Sequence, residues 1–203
     1  MPRLPRAERR AQLLAVAREA FGELGFHEAS MELIAERAGV TKPVLYRHFP
    51  SKRDLYLALV EHTVDAIVGR VRIALSRTDD NAERVRGAVR AYFDSADDAG
   101  FRLVFDNALR SDPEVREVVD RALRGVAADI AQLIARDSGT DPDRAMLLAL
   151  GLVGMAIEAA RWTTEHPHLS GAEAGDLLAA LAWRGLRTVA PARTVTVRAA
   201  SGS

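Results

Sequence analysis

Apolar residues recur along the first 190 or so positions at helical spacing, and nowhere do they alternate with the period of a strand. Leu13, Leu14, Ala17, Ala20, Phe21 and Leu24 trace one stripe, which predicts a first helix over 5–24, ended by Gly25. Met31 to Ala38 is a second, short helix with Ser30 at its cap, and Lys42 to Phe49 a third behind Gly39. Ser51 and Asp54 form a capping box for a long fourth helix, Lys52 to Arg77. A fifth runs from Ala82 to Asp98, and Gly100 opens a short sixth that carries Phe101, Leu103, Val104, Phe105 and Leu109. Asp112-Pro113 and Asp141-Pro142 are strong start signals for helices reaching Arg136 and Glu165. Ser170 and Glu173 box the start of a last helix that ends near Val189, and residues 190–203 lack periodicity and are expected to be a disordered tail. The predicted fold is all-α, with about nine helices.

The stretch from Ser30 to Lys52 has the spacing of a helix-turn-helix. Ala35 is small enough to let two helices cross, Gly39 makes the bend, and Leu45 locks the angle. The second helix then presents Lys42, Tyr46, Arg47 and His48, groups suited to phosphates and base edges.

These residues carry a family resemblance. Ile34-Ala35, Ala38-Gly39-Val40-Thr41, Leu45-Tyr46, Phe49 and Ser51-Lys52 followed by Leu55 resemble the TetR family of one-component transcriptional regulators. The longer stretches LPRAERRAQLL, KPVLYRHFPSKRDLYLAL and DSGTDPDRAMLLALGLVGMAIEAARW are similar to actinobacterial TetR-type regulators of fatty-acid synthesis. Pro43 stands where that family usually has glycine, which removes a backbone donor. The resemblance implies a DNA-binding domain over 1–50, a ligand-binding and dimerisation domain over 51–189, and a homodimer on a palindromic operator in double-stranded DNA. It places Ser30, Met31, Thr41, Lys42, Pro43, Val44, Tyr46, Arg47, His48 and Lys52 at the DNA. Arg6, Arg9 and Arg10 at the start of the first helix would reach phosphates.

Composition narrows the remaining chemistry. The chain has 203 residues, 48% hydrophobic, with no cysteine, so disulfides, thiol nucleophiles and thiolate metal sites are excluded. Net charge is zero but divided: residues 1–60 hold 10 basic against 7 acidic side chains, the remainder 18 against 21. The five histidines have no metal-ligand spacing, and no nucleophile elbow, phosphate loop or paired-carboxylate motif is present. No cofactor is expected, nor a catalytic residue. No apolar run approaches the ~20 residues of a membrane span and no signal peptide is legible, so a cytoplasmic protein with no membrane partner is expected.

Tyr92, Phe93, Phe101, Phe105, Leu109, Ile130, Ile134, Val153, Ile157 and Trp162 could line an apolar pocket, with Arg161, Arg102 or Arg110 holding an acidic headgroup. The resemblance implies a small apolar ligand there, such as a long-chain acyl-CoA. It also implies that the last two helices form the dimer seam, through Leu150, Gly151, Gly154, Leu178, Leu181 and Trp183. Three functions remain open on the sequence: a lipid-responsive regulator of fatty-acid metabolism genes, a drug- or metabolite-responsive repressor of efflux or catabolic genes, and a helical enzyme or scaffold.

Overall fold

A computed structural model describes residues 4–96, 101, 112–166 and 168–189, and among these eight helices and no strand occur. They are α1 (Arg6–Glu28), α2 (Met31–Arg37), α3 (Lys42–His48), α4 (Lys52–Ser76), α5 (Asn81–Ala96), α6 (Pro113–Ser138), α7 (Pro142–Glu165) and α8 (Gly171–Val189). The short helix expected after Gly100 lies outside the described residues apart from Phe101, as does the expected tail.

The start signals act as the sequence suggests. Ser30 Oγ accepts from the Leu33 amide at 3.1 Å, and Asp112 and Asp141 each accept from amides in the first turn behind them. Ser170 and Glu173 close a reciprocal box: each side chain accepts from the other's backbone amide. Thr41 is the exception. It occupies the cap position of α3, but its hydroxyl makes no capping bond and stays exposed.

Gly25 does break α1, at φ +76°, but the chain resumes a helical turn through Glu28. That kink folds Phe26 back beside Phe21 and Tyr56, whose rings meet edge-on at 5.2–5.4 Å. Around them Leu13, Ile34, Leu45, Phe49, Leu55 and Leu59 form one buried core. It continues along α4 to Val64 and takes in Val115 of α6. The boundary expected after residue 50 therefore crosses a continuous core, and α4 belongs to both halves.

Beyond α4 the body is a layered bundle, in which α8 packs chiefly on α5, α6 on α7, and α4 on α5 and α6. Ion pairs tie its layers, among them Arg72 to Asp129 at 2.7 Å, Arg90 to Asp176 at 2.6 Å, Arg84 to Asp137 at 3.0 Å, and Arg53 to Asp112. The last is bidentate, at 2.7 and 2.9 Å, with Glu114 adding a third bond at 3.1 Å. It fastens the first turn of α4 to the N-terminus of α6.

The helix α7 corrects one expectation. Its 24 residues contain an 18-residue window of mean hydropathy 1.5, by length and composition apolar enough to cross a bilayer. Its outer side carries Leu147, 71% exposed, with Leu150 beside it, and α8 adds Leu177 at 66% and Leu181 at 61%. This apolar stripe has no cover in the protomer.

Candidate DNA interface and apolar chamber

The reading helix α3 stands out from the protein on a rigid base. Leu45 is fully buried beneath it, and the Gln12 side chain donates to the Ala38 carbonyl at 3.2 Å, holding the turn against α1. Thr41, Lys42, Pro43, Tyr46 and Arg47 are exposed, with Val44 and His48 half-buried beside them. An open cleft of about 690 Å³ lies between this surface and the start of α1, lined by Arg6, Arg9, Thr41, Val44, Arg47 and His48 among others. Arg10 packs its guanidinium over the Phe49 ring at 4.8 Å. Four arginines thus converge beside the reading helix, a phosphate-seeking surface that composition alone shows only as a mild excess of charge.

Three residues expected at the DNA have other placements or partners. Met31, 5% exposed, belongs to the core. Lys42 pairs with Glu32 at 2.6 Å, a partner the sequence reading missed. The ammonium of Lys42 holds the Glu32 carboxyl below the usual carboxylate range. Because both side chains are exposed, phosphate can displace this pairing.

Lys52 is the larger correction. Its Nζ donates to the carbonyls of Phe26 at 2.7 Å, His27 at 3.0 Å and Ala29 at 3.0 Å, and sits 4.7 Å from the centre of the Phe26 ring. All three ammonium hydrogens are used inside the protein, capping the turn that Gly25 sets up. Lys52→Gln is expected to lower stability by about 1–3 kcal/mol in urea denaturation, and arginine should not restore it, since a planar fork cannot meet three converging carbonyls. Unchanged stability with a shallower salt dependence of DNA binding would return Lys52 to the phosphates.

His48 gives the interface a pH dependence. Burial, then the charges of Arg47, Arg6, Arg10 and Arg9, push its imidazole below the ordinary value. DNA phosphates would offset those cations, so the pKa rises on binding and complex formation takes up a proton. Operator affinity is therefore expected to increase as pH falls through the range in which His48 titrates, and His48→Gln to flatten that slope in anisotropy titrations. An equal slope in the variant would assign the proton elsewhere.

In the body, α4, α5, α6, α7 and α8 enclose an apolar chamber of about 120 Å³. Ile67, Val68, Val71 and Leu75 of α4 supply one wall, at i, i+1, i+4 and i+8. Ile130, Val153 and Ile157 line it as expected. Phe93 and Phe101 are buried together beside Ile67 and Tyr92 rather than lining the chamber. Arg161 and Trp162 are not on its walls: Arg161 pairs with Glu158, and Trp162 stacks on His166 with ring centres 3.9 Å apart. Phe105, Leu109, Arg102 and Arg110 lie outside the described residues. The chamber shares Leu75, Val85, Ile130 and Leu152 with a wider vestibule of about 350 Å³ reaching Trp183 and Arg187. Arg84 borders the vestibule, buried, with Asp79 at 2.7 Å and Asp137 at 3.0 Å on its guanidinium.

Of the residues expected at the dimer seam, Leu150, Gly151, Gly154 and Leu181 are exposed. A Cβ built on Gly151 or Gly154 meets nothing within 4 Å, so packing inside the protomer does not require these glycines. Leu178 and Trp183 instead turn inward, to the chamber and the vestibule, and Leu147 and Leu177 occupy the outer face.

A helix-turn-helix raised on a rigid core, joined by one helix to a bundle with an apolar chamber, is the architecture of a DNA-binding transcription regulator. Comparison with known proteins agrees. A sequence model described as "Bacterial regulatory proteins, tetR family" matches residues 13–59. The HTH-type transcriptional activator FasR of Mycolicibacterium smegmatis is 44% identical over 190 residues, covering 92% of this chain and 87% of that protein. The chain belongs to the TetR family. Its members are transcription regulators that bind DNA as dimers, and not enzymes. Among solved structures, a TetR-like transcriptional regulator from Rhodococcus sp. RHA1 superposes with TM-score 0.71 at 28% identity, covering 91% of this chain and 98% of that one. The fold is also that of FadR from Bacillus subtilis, solved in complex with stearoyl-CoA, with TM-score 0.68 at 20% identity and coverage of 85% and 96%.

Proposed function

We propose that this chain is a homodimeric cytoplasmic regulator of fatty-acid metabolism genes whose grip on a palindromic operator is set by a long-chain acyl-CoA. Residues 1–50 read the DNA, 51–189 bind the ligand and dimerise, and α4 is shared between them. Thr41, Lys42, Tyr46, Arg47 and His48 face the groove, with Arg6 and Arg9 on phosphates. The observation that carries the reading is the course of α4: its first turns lie in the core under the reading helix, and its last turns wall the apolar chamber. The likeness to FasR supports fatty-acid genes as the target, and the stearoyl-CoA in FadR supports an acyl ligand.

At about 120 Å³ the chamber is comparable to an engineered cavity that holds a benzene, so a long chain has to part the helices to enter. A ligand that binds one spacing of α4 to α8 better than another shifts the population between them. The Arg53–Asp112 bridge carries any movement of α6 to the first turn of α4, and so to the separation of the two reading helices. The test is thermal unfolding of the purified dimer against acyl-CoAs of rising chain length. Stabilisation is expected to grow with chain length, reaching about 2.7 kcal/mol at a hundred times the dissociation constant, and to be absent with free CoA. A flat response across the series would refute the acyl ligand.

A further inference from the structure

The walls of the chamber are apolar with one exception. Tyr92 lines it, and the Tyr92 hydroxyl is buried without a hydrogen-bond partner among the described residues. An unpaired buried hydroxyl is a standing cost, and a hydrocarbon ligand would leave it unpaired. Burial also pushes the phenol above its ordinary pKa, so at neutral pH the group is a donor and never an anion.

Charged groups flank the chamber at both ends. The Tyr92 ring meets Phe101 edge-on at 5.5 Å, and Phe101 borders a separate pocket of about 230 Å³ against α1. That pocket shares Ile67 with the chamber and is lined by His62, Arg70 and Ser95. Arg70 donates to Ser95 Oγ at 3.0 Å and makes no ion pair with a described residue. At the opposite mouth, Arg84 is already neutralised by Asp79 and Asp137. Arg187 also lines that mouth and makes no ion pair with a described residue, so a cation stands at either end, and the fixed polar mark on the chamber wall is the Tyr92 hydroxyl.

We propose that Tyr92 is the specificity residue that donates to the carbonyl oxygen of the acyl group. This rests on the acyl reading above and adds which atom of the ligand the protein recognises.

Calorimetric titration of the full-length protein with two ligands tests it: hexadecanoyl-CoA, and S-hexadecyl-CoA, a thioether that lacks only the carbonyl oxygen. The wild type is expected to bind the thioester about tenfold more tightly, the effect of one buried hydrogen bond. Tyr92→Phe should erase that preference and still bind the thioether as the wild type does. Without ligand the same variant should melt at a higher temperature, because it removes an unpaired hydroxyl. A preference that survives in Tyr92→Phe, a wild type that binds both ligands equally, or a lower midpoint for the variant each overturns the assignment while leaving the acyl ligand standing. Failure of both ligands to bind the wild type overturns the acyl reading itself.

Discussion

Aspartate in place of both Leu150 and Leu181 is expected to leave a folded monomer that binds operator DNA about 10²–10⁴-fold more weakly. Both side chains project from the bundle, so within the protomer the substitutions cost little. At a seam between two copies, four carboxylates would face one another in an apolar setting, where ionised groups are strongly disfavoured. Once the dimer is lost, so is the second half-site, and with it the gain of presenting two reading helices at once. Sedimentation velocity and anisotropy titration on the same sample read both effects. A dimer that persists, or a monomer with full affinity, would place the interface or the reading unit elsewhere. Leu178→Asp is the contrasting control: it puts the charge into the chamber wall and should unfold the protein.

Tyr46→Ala is expected to abolish operator binding while the dimer and its thermal midpoint are kept. Tyr46 is 42% exposed at the centre of α3, so little packing is lost with it. A good base-edge or phosphate contact is worth about 1–3 kcal/mol, and a symmetric dimer loses two, about 2–6 kcal/mol in all. Pro43 sharpens the effect, because it removes a backbone donor from the first turn of the helix and leaves side chains to make the contacts. Unchanged affinity would shift recognition from α3 to the arginines of α1.

The sequence announces this fold at its punctuation. Asp112-Pro113, Asp141-Pro142, Ser51 and Ser170 each cap the helix they were expected to start, because a cap is a local contract between a side chain and amides two or three residues on. Exposure was legible where it follows the helical period, as on α3. It was not legible for Lys52, because the three carbonyls it binds converge only after Gly25 has bent α1 toward α4. Nor could spacing tell Leu177 from Leu178. Adjacent residues on a helix lie about 100° apart, and on helices apolar all round the period no longer says which side faces in. The wall that α4 gives the chamber was hidden for a related reason: Ile67, Val71 and Leu75 read as ordinary core until the helices opposite them are seen to stand apart.

The trapped ammonium of Lys52 has a practical corollary. The chain has only two lysines, Lys42 and Lys52, its remaining positive charge being arginine. With Lys52 locked on three carbonyls, an amine-directed acylating reagent meets one ready lysine, and that one stands on the reading helix. Among its lysines the protein therefore carries one ready handle, on the helix proposed to face DNA. Lysine acylation is expected to fall on that helix first.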